Sequence, residues 1–297
     1  MTLTRQQKHI IDAGTTIALD RPTDQDKAFL ARQLVQTTLP HADPGNVPVW
    51  SRSNGNLTLS IQPGVANGAL IGFPYGTIPR LLTYWMTTEA IRTKTPRLVL
   101  GDTLSEFMEG LGLDHRGKGP RSDRIRLEEQ MRRLFAARIS FESSVEKDGQ
   151  ATHVTEYMQV ARRTVYWWSP KQPEQGNLWQ SYVELDADFF NAITANPVPV
   201  DLRALRALKR SPLALDLYSL LTYQAFSAGK GGRARFMSWK QLQVALGTGY
   251  ADTANLRKAI KPALLKIQTV YPNLAIGERE GGIEVLPGSL PAVSALI

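Results

Sequence analysis

One order of elements occurs twice along this chain, and a duplicated unit restricts the fold more than any composition does. In the first pass, Ile78–Thr93 places Leu81, Leu82, Trp85, Met86 and Ile91 at helical spacing. Arg97–Leu100 reads as a short strand. Thr103 is an N-cap paired with Glu106, opening a helix with Leu104, Phe107, Met108 and Leu111 inward that ends at Gly112. A loop with Gly117, Gly119 and Pro120 leads to a basic helix, Arg121–Ala137. Arg138–Val145 and Thr152–Trp168 both alternate and flank the polar turn Glu146–Gln150, which predicts a hairpin. In the second pass, Ser211–Ser227 is a helix, Arg233–Met237 the short strand, and Ser238 the cap of a helix ending at Gly247. Asp252 or Thr253 opens a second basic helix with Leu256, Ile260, Leu264 and Ile267 inward. Leu274–Ile276 and Ile283–Leu286 make the hairpin. Leu81-Leu82 answers to Leu220-Leu221 at 139 positions, and Leu111-Gly112 to Leu246-Gly247 at 135, so the copies differ by loop length. Helix, short strand, helix, turn, helix, hairpin is the order of a winged helix.

The predicted fold class is therefore α+β, two tandem winged-helix domains behind a short N-terminal extension. The 297 residues suit two domains, and 42% apolar content suits folded ones. The boundaries read as residues 1–74 for extension and linker, 75–200 for the N-terminal domain and 201–297 for the C-terminal domain. Within the extension, Phe29, Leu30, Gln33 and Leu34 predict an amphipathic helix over Asp24–Thr38, which Pro40, Pro44 and Pro48 end. Leu57–Ile61 alternates as a strand, and Pro63–Gly76 reads as a Gly- and Pro-rich linker.

Charge separates the same blocks. The chain carries 35 Lys+Arg against 27 Asp+Glu, a net +8. Residues 77–138 and 201–297 hold the surplus and 139–200 are net acidic. Between 203 and 266 only Asp216 and Asp252 oppose twelve basic residues. Segregated positive charge points to a polyanion, with duplex DNA the leading partner. In a winged helix the third helix enters the major groove. On the first such helix, Arg126, Gln130 and Arg133 share the face opposite Leu127, Met131 and Leu134, with Arg124 and Arg132 beside them. Arg pairs bidentately with guanine and Gln with adenine. Glu128–Arg132 and Glu129–Arg133 are also i,i+4 ion pairs, which supply a purely structural use for part of this face. On the second, Asn255, Arg257, Lys258 and Lys261 lie away from the apolar stripe, and no acid stands between Asp252 and Glu278. Pro262 removes one helical hydrogen bond there and is expected to kink or break this helix. Arg206, Lys209 and Arg210, with Arg203, form a further basic cluster, and Arg233 and Arg235 on the short strand suit phosphate contacts.

Enzyme chemistry finds little support. Cysteine is absent, and His9, His41, His115 and His153 have no paired metal spacing, so no metal site, no cofactor and no catalytic role are expected. A nicking enzyme would need a His-x-His metal site near a tyrosine. Gly229-Lys230-Gly231 lacks the phosphate-loop pattern. Trp167-Trp168 on an alternating strand suits core or interface more than base stacking. No apolar run reaches the ~18 residues of a membrane span, and residues 1–20 show no secretory core, so a cytoplasmic protein without a membrane partner is expected.

Long strings then resemble plasmid-encoded RepA replication initiators of the theta type. They include Leu34-Val35-Gln36-Thr37-Thr38-Leu39-Pro40-His41, Asn54-Gly55-Asn56-Leu57-Thr58-Leu59 and Pro79-Arg80-Leu81-Leu82. They continue in Gln130-Met131-Arg132-Arg133-Leu134-Phe135, Pro170-Lys171-Gln172-Pro173 and Ala207 through Asp216. The resemblance spans most of residues 30–287. It implies binding to repeated origin sites (iterons), help in opening the adjacent duplex, recruitment of the host initiator and replicative helicase machinery, a monomer–dimer balance, and repression of the protein's own promoter. By the same analogy the C-terminal domain dominates DNA affinity, while the N-terminal one shares it and dimerises. A winged-helix repressor without a replisome role is the alternative.

Overall fold

The computed structural model describes residues 3–117, 119–147, 150–166, 181–247 and 249–293. Helix α1 (Arg5–Leu19) opens on a reciprocal cap, in which Thr4 Oγ1 accepts the Gln7 amide and Gln7 Oε1 the Thr4 amide. The helix predicted over Asp24–Thr38 is instead a 3-10 turn at Asp24–Asp26, strand β1 (Lys27–Ala31) and the short α2 (Arg32–Gln36). All of β1 is buried and pairs antiparallel with Pro197–Asp201, from Lys27 against Asp201 to Ala31 against Pro197. A partner strand 170 residues away overrides the local helical spacing. Next come β2 (Trp50–Asn54) and β3 (Leu57–Gln62). The expected linker 63–76 is also structured. It holds β4 (Val65–Ala66) and β5 (Ala69–Leu70), turned by Asn67 and Gly68 at positive φ, and then the fully buried Phe73.

The first unit consists of α3 (Thr77–Thr93), β6 (Arg97–Val99), α4 (Leu104–Gly110) and α5 (Asp123–Phe135). The predicted hairpin that follows does not stay in one piece. β7 (Arg138–Lys147) and β8 (Gln150–Gln159) pair with each other, but β7 also pairs with β3, giving a four-stranded sheet in the order β2-β3-β7-β8. Leu57, Leu59 and Ile61 need a cross-strand apolar face, and Ile139 and Phe141 supply it. At the buried Val160, whose amide donates to Ala137 O, the chain leaves that sheet. β9 (Ala161–Val165) and β10 (Tyr182–Leu185) then join β6 in the order β6-β10-β9. An unbroken alternation over 152–168 hides this change of partner. Strands β9 and β10, rather than β7 and β8, therefore complete the first unit. Trp167 and Trp168, the string Pro170–Pro173 and Asp148 of the predicted turn lie outside the described residues.

Helix α6 (Ala187–Ala195), β11 (Pro197–Asp201) and α7 (Leu202–Leu208) lead into the second unit. That unit holds α8 (Pro212–Gly231), β12 (Arg235–Ser238), α9 (Trp239–Leu246), α10 (Thr253–Val270), β13 (Ile276–Arg279) and β14 (Gly282–Val285). Its sheet runs β12-β14-β13, the same first-third-second order as β6-β10-β9, so the repeat read from sequence recurs in topology. Asp252 Oδ1 caps α10 by accepting the Asn255 amide at 2.7 Å. Pro262 neither ends nor breaks α10, which is continuous to Val270. The proline faces solvent, so the Lys258 carbonyl it deprives of a donor sits where water can serve it. α3 and α8 are buried around much of their circumference and share one core. α1 crosses α10 closely enough that a Cβ on Gly14 would lie 2.3 Å from Thr269 O. Residues before 75 thus contribute elements to the packing of both units. Among the described residues, no helix is long and apolar enough to cross a membrane.

Candidate nucleic-acid interface

The two basic helices present different faces. On α5, Arg126 is exposed and its guanidinium bonds Asp123 at 3.3 Å. Gln130 is just 5% exposed, and its Oε1 accepts the Tyr75 amide at 2.9 Å. Arg133 is drawn in by Asp43 at 3.0 Å and Glu129 at 2.6 Å, donates to Phe73 O, and lies over the Tyr75 ring. Arg124 is half-buried, with a buried Nε that has no partner among the described residues. Gln130 and Arg133, expected as DNA contacts, both bond the 73–75 turn and hold it against α5. The face that looks solvated on a helical wheel is covered by the segment read as a linker. Arg126 and Arg132 remain exposed on α5.

On α10, Asn255, Arg257, Lys258 and Lys261 are all exposed, as expected. The Asn255 side-chain amide turns back to Asp252 Oδ2 at 3.0 Å, which spends one donor on the cap. The Arg257 guanidinium stands 5.6 Å from the Trp239 ring centroid, a cation–π contact that orients it. No acidic side chain among the described residues pairs with Arg257, Lys258 or Lys261. Trp239 was not singled out from sequence. Its signal is the Ser238 cap with Gln241, which fixes it at the first position of α9. Arg233 is exposed, and Arg235 donates to Ser227 O at 3.3 Å, so the latter is partly engaged at the end of α8. Arg279, at the tip of the β13–β14 hairpin, lies over the Phe236 ring.

The 203–210 cluster makes several contacts within the protein, while Arg206 is exposed. Arg203 bonds Asp201 at 2.7 Å and Asp20 O at 3.1 Å. Arg206 donates to Gly110 O, and Lys209 to Gly112 O, so both serve carbonyls at the end of α4. Burial pushes the Lys209 ammonium below its ordinary pKa. Arg210 stays exposed. No group of three His, Asp or Glu side chains that could hold a metal ion occurs among the described residues.

A buried polar knot underlies these surfaces. Arg80 bonds Asp216 twice, Nε to Oδ1 and Nη2 to Oδ2, each at 2.8 Å. Its remaining donors reach Leu39 O and Gly76 O at 2.6 Å and Pro40 O at 3.0 Å. His41 Nε2 lies 2.7 Å from Asp216 Oδ2. Burial alone would raise the Asp216 carboxyl, but the Arg80 guanidinium and the His41 bond hold it below the ordinary value. Burial pushes the His41 imidazole down despite its carboxylate partner. The knot unites the 34–41 string, α3 and α8, three segments that carried the sequence resemblance.

Two helix-rich units of like topology, each with exposed cations on its third helix, make up this architecture. Residues 73–241 match the family model described as plasmid encoded RepA protein, more than half of the chain, and the chain belongs to that family. Membership supports a role in initiating replication. No curated protein matches the chain. Among solved structures, it is similar to domains 2 and 3 of RctB in two crystal structures. One is 11% identical with a TM-score of 0.47, covering 83% of this chain and 93% of that one. The other is 8% identical with a TM-score of 0.43, covering 85% and 94%.

Proposed function

We propose that this chain initiates plasmid replication by binding repeated sites in origin duplex DNA through two winged-helix units. The observation that carries this reading is the α10 face, where Arg257, Lys258 and Lys261 are exposed without acidic partners in a protein of the RepA family. The C-terminal unit, within residues 201–297, is the main reading domain. There α10 enters the major groove, Arg257 and Lys258 meet bases or phosphates, and Arg233, Lys261 and Arg279 neutralise the flanking backbone. The N-terminal unit, within 75–200, adds Arg126 and Arg132 from α5 and carries self-association. Arg210 is a further phosphate contact. No cofactor takes part. Each neutralised phosphate releases counterions, so binding weakens steeply with salt. Each good bidentate base contact discriminates by about 1–3 kcal/mol. Bound at repeats, the protein assists local opening, brings the host initiator and helicase machinery to the origin in the cytoplasm, and represses its own promoter.

Footprinting the DNA around the protein's own gene across a salt series tests this. Regularly spaced protection over direct repeats, fading steeply with salt, is expected. Protection of a single inverted repeat at the promoter would favour a repressor without a replisome role. No protection at low salt would overturn DNA binding itself.

A further inference from the structure

The corner between α9 and α10 is finished by side chains from far upstream. A helix leaves its last carbonyls without amide partners. Here two of them are served from outside the unit: Thr38 Oγ1 donates to Leu246 O at 3.2 Å, and Arg52 Nη2 to Gly247 O at 2.7 Å. Arg52 Nη1 also reaches Thr38 Oγ1 at 3.2 Å, joining the two supports. The guanidinium rests over the Trp50 ring, 4.7 Å from its centroid. A cation at this end of α9 also complements the helix dipole. Gly247 makes the seat available. Its φ is +52°, and a Cβ there would fall 1.0 Å from Arg52 Nη1. Burial brings the Arg52 guanidinium down to about 10, still far above any working pH, so the contact stays charged.

The route from this seat to the other basic helix is short and stiff. Arg52 lies on β2, which pairs with β3, which pairs with β7. β7 begins three residues after α5 ends. On the other side, Gln243 Nε2 of α9 donates to Tyr250 O at 2.7 Å, two residues before the Asp252 cap of α10. Strand pairing thus links Arg52 to β7, which follows α5 in the chain, and Arg52 itself bonds the carbonyl at the end of α9, the helix before α10.

We propose that Arg52, seated on Gly247, is a positioning residue that fixes α10 relative to α5 and so sets the separation of DNA half-sites the protein accepts. This rests on the two-unit DNA reading above. The residue touches no base. It acts by making the two reading helices one rigid ruler, and a ruler is selective for spacing where a hinged pair is not.

Two measurements on the full chain test the proposal. The chain has no cysteine, so nitroxides at Glu128→Cys and Gln268→Cys, on exposed positions of α5 and α10, report the separation of the two helices. The unsubstituted Arg52 background should give one narrow distribution. Arg52→Met and Gly247→Ala should broaden it, with Arg52→Lys between, because a single flexible ammonium lacks the planar two-nitrogen fork that spans Thr38 and Gly247. The same distribution in Arg52→Met as in the parent overturns the proposal. Arg52→Lys and Gly247→Ala approach the contact by smaller changes should Arg52→Met unfold. In the second measurement, a random-sequence duplex pool is selected by each protein. The parent should enrich paired half-sites at one separation. Arg52→Met should enrich the same half-sites at several, with about tenfold lower preference for the parental one. Retention of the single parental separation by Arg52→Met also overturns it. If the parent itself enriches nothing, the DNA reading fails, and the distances alone decide whether Arg52 holds α10.

Discussion

Replacing Asp216 by asparagine keeps the shape of the buried knot and removes its only negative charge. Asp216 is 7% exposed and Arg80 3%, so water cannot take over for either. In the native arrangement the carboxylate accepts Arg80 Nε, Arg80 Nη2 and His41 Nε2 on two oxygens. An amide offers one oxygen, and its NH₂ points a donor at donors on the other side. Arg80 keeps its bonds to Leu39 O, Pro40 O and Gly76 O, but its charge is left unpaired in the interior. Breaking a buried pair from one side costs about 3–5 kcal/mol. At roughly 2–4 °C per kcal/mol for a chain of this size class, the melting temperature should fall by about 6–20 °C. Urea unfolding of the parent, Asp216→Asn, Arg80→Met and the Arg80→Met/Asp216→Leu double variant measures it. The double variant should be more stable than either single one, because it removes the orphan charge as well as the pair. A loss below about 1 kcal/mol for Asp216→Asn, or a double variant as unstable as the summed singles, would refute this account of the knot.

Three further outcomes follow from named contacts. Burial holds the His41 imidazole below its ordinary 6.5, beside Asp216, Arg80 and Arg52, so the unfolded chain protonates first as pH falls. The His41 contribution is whole above about pH 6.5 and declines below it, so the urea midpoint should drop more between about pH 7.5 and 5.5 in the parent than in His41→Gln. Equal drops would contradict it. Gln130→Ala should cost about 1–3 kcal/mol by stranding the Tyr75 amide, with the selected DNA sequence unchanged; altered base preference would return Gln130 to the interface. Arg257→Ala and Lys258→Ala should each weaken duplex binding and flatten the slope of log affinity against log salt by about one. An unaltered slope in both would remove α10 from the contact.

The periodic parts of the fold were legible because their signals are local. The caps at Thr103, Ser238 and Asp252 form, and the apolar stripes of α3, α8 and α10 face inward as spaced. What escaped was pairing over distance. β1 was taken for helix because its partner β11 lies near residue 200, and the 138–168 alternation could not show that β7–β8 and β9 serve different sheets. The same gap hides the contacts of part of the expected site. Arg133 and Gln130 are on the predicted face of α5, but Asp43, Phe73 and Tyr75 fold over that face. Lys258 and Lys261 are exposed, as their place on the helix face implies, because no described residue covers them. Pro262 misled through its missing N–H, whose loss matters little on a solvated face.

The most direct test asks whether the protein drives replication from DNA it does not itself encode. A plasmid carrying the DNA flanking this gene, but not the gene, is introduced into cells that supply the protein in trans. The parent should maintain that plasmid, and Arg257→Ala/Lys258→Ala, expressed to the same level and folded, should not. Failure of the expressed, folded parent to maintain it would contradict initiation, and full maintenance by the double variant would contradict the role assigned to α10.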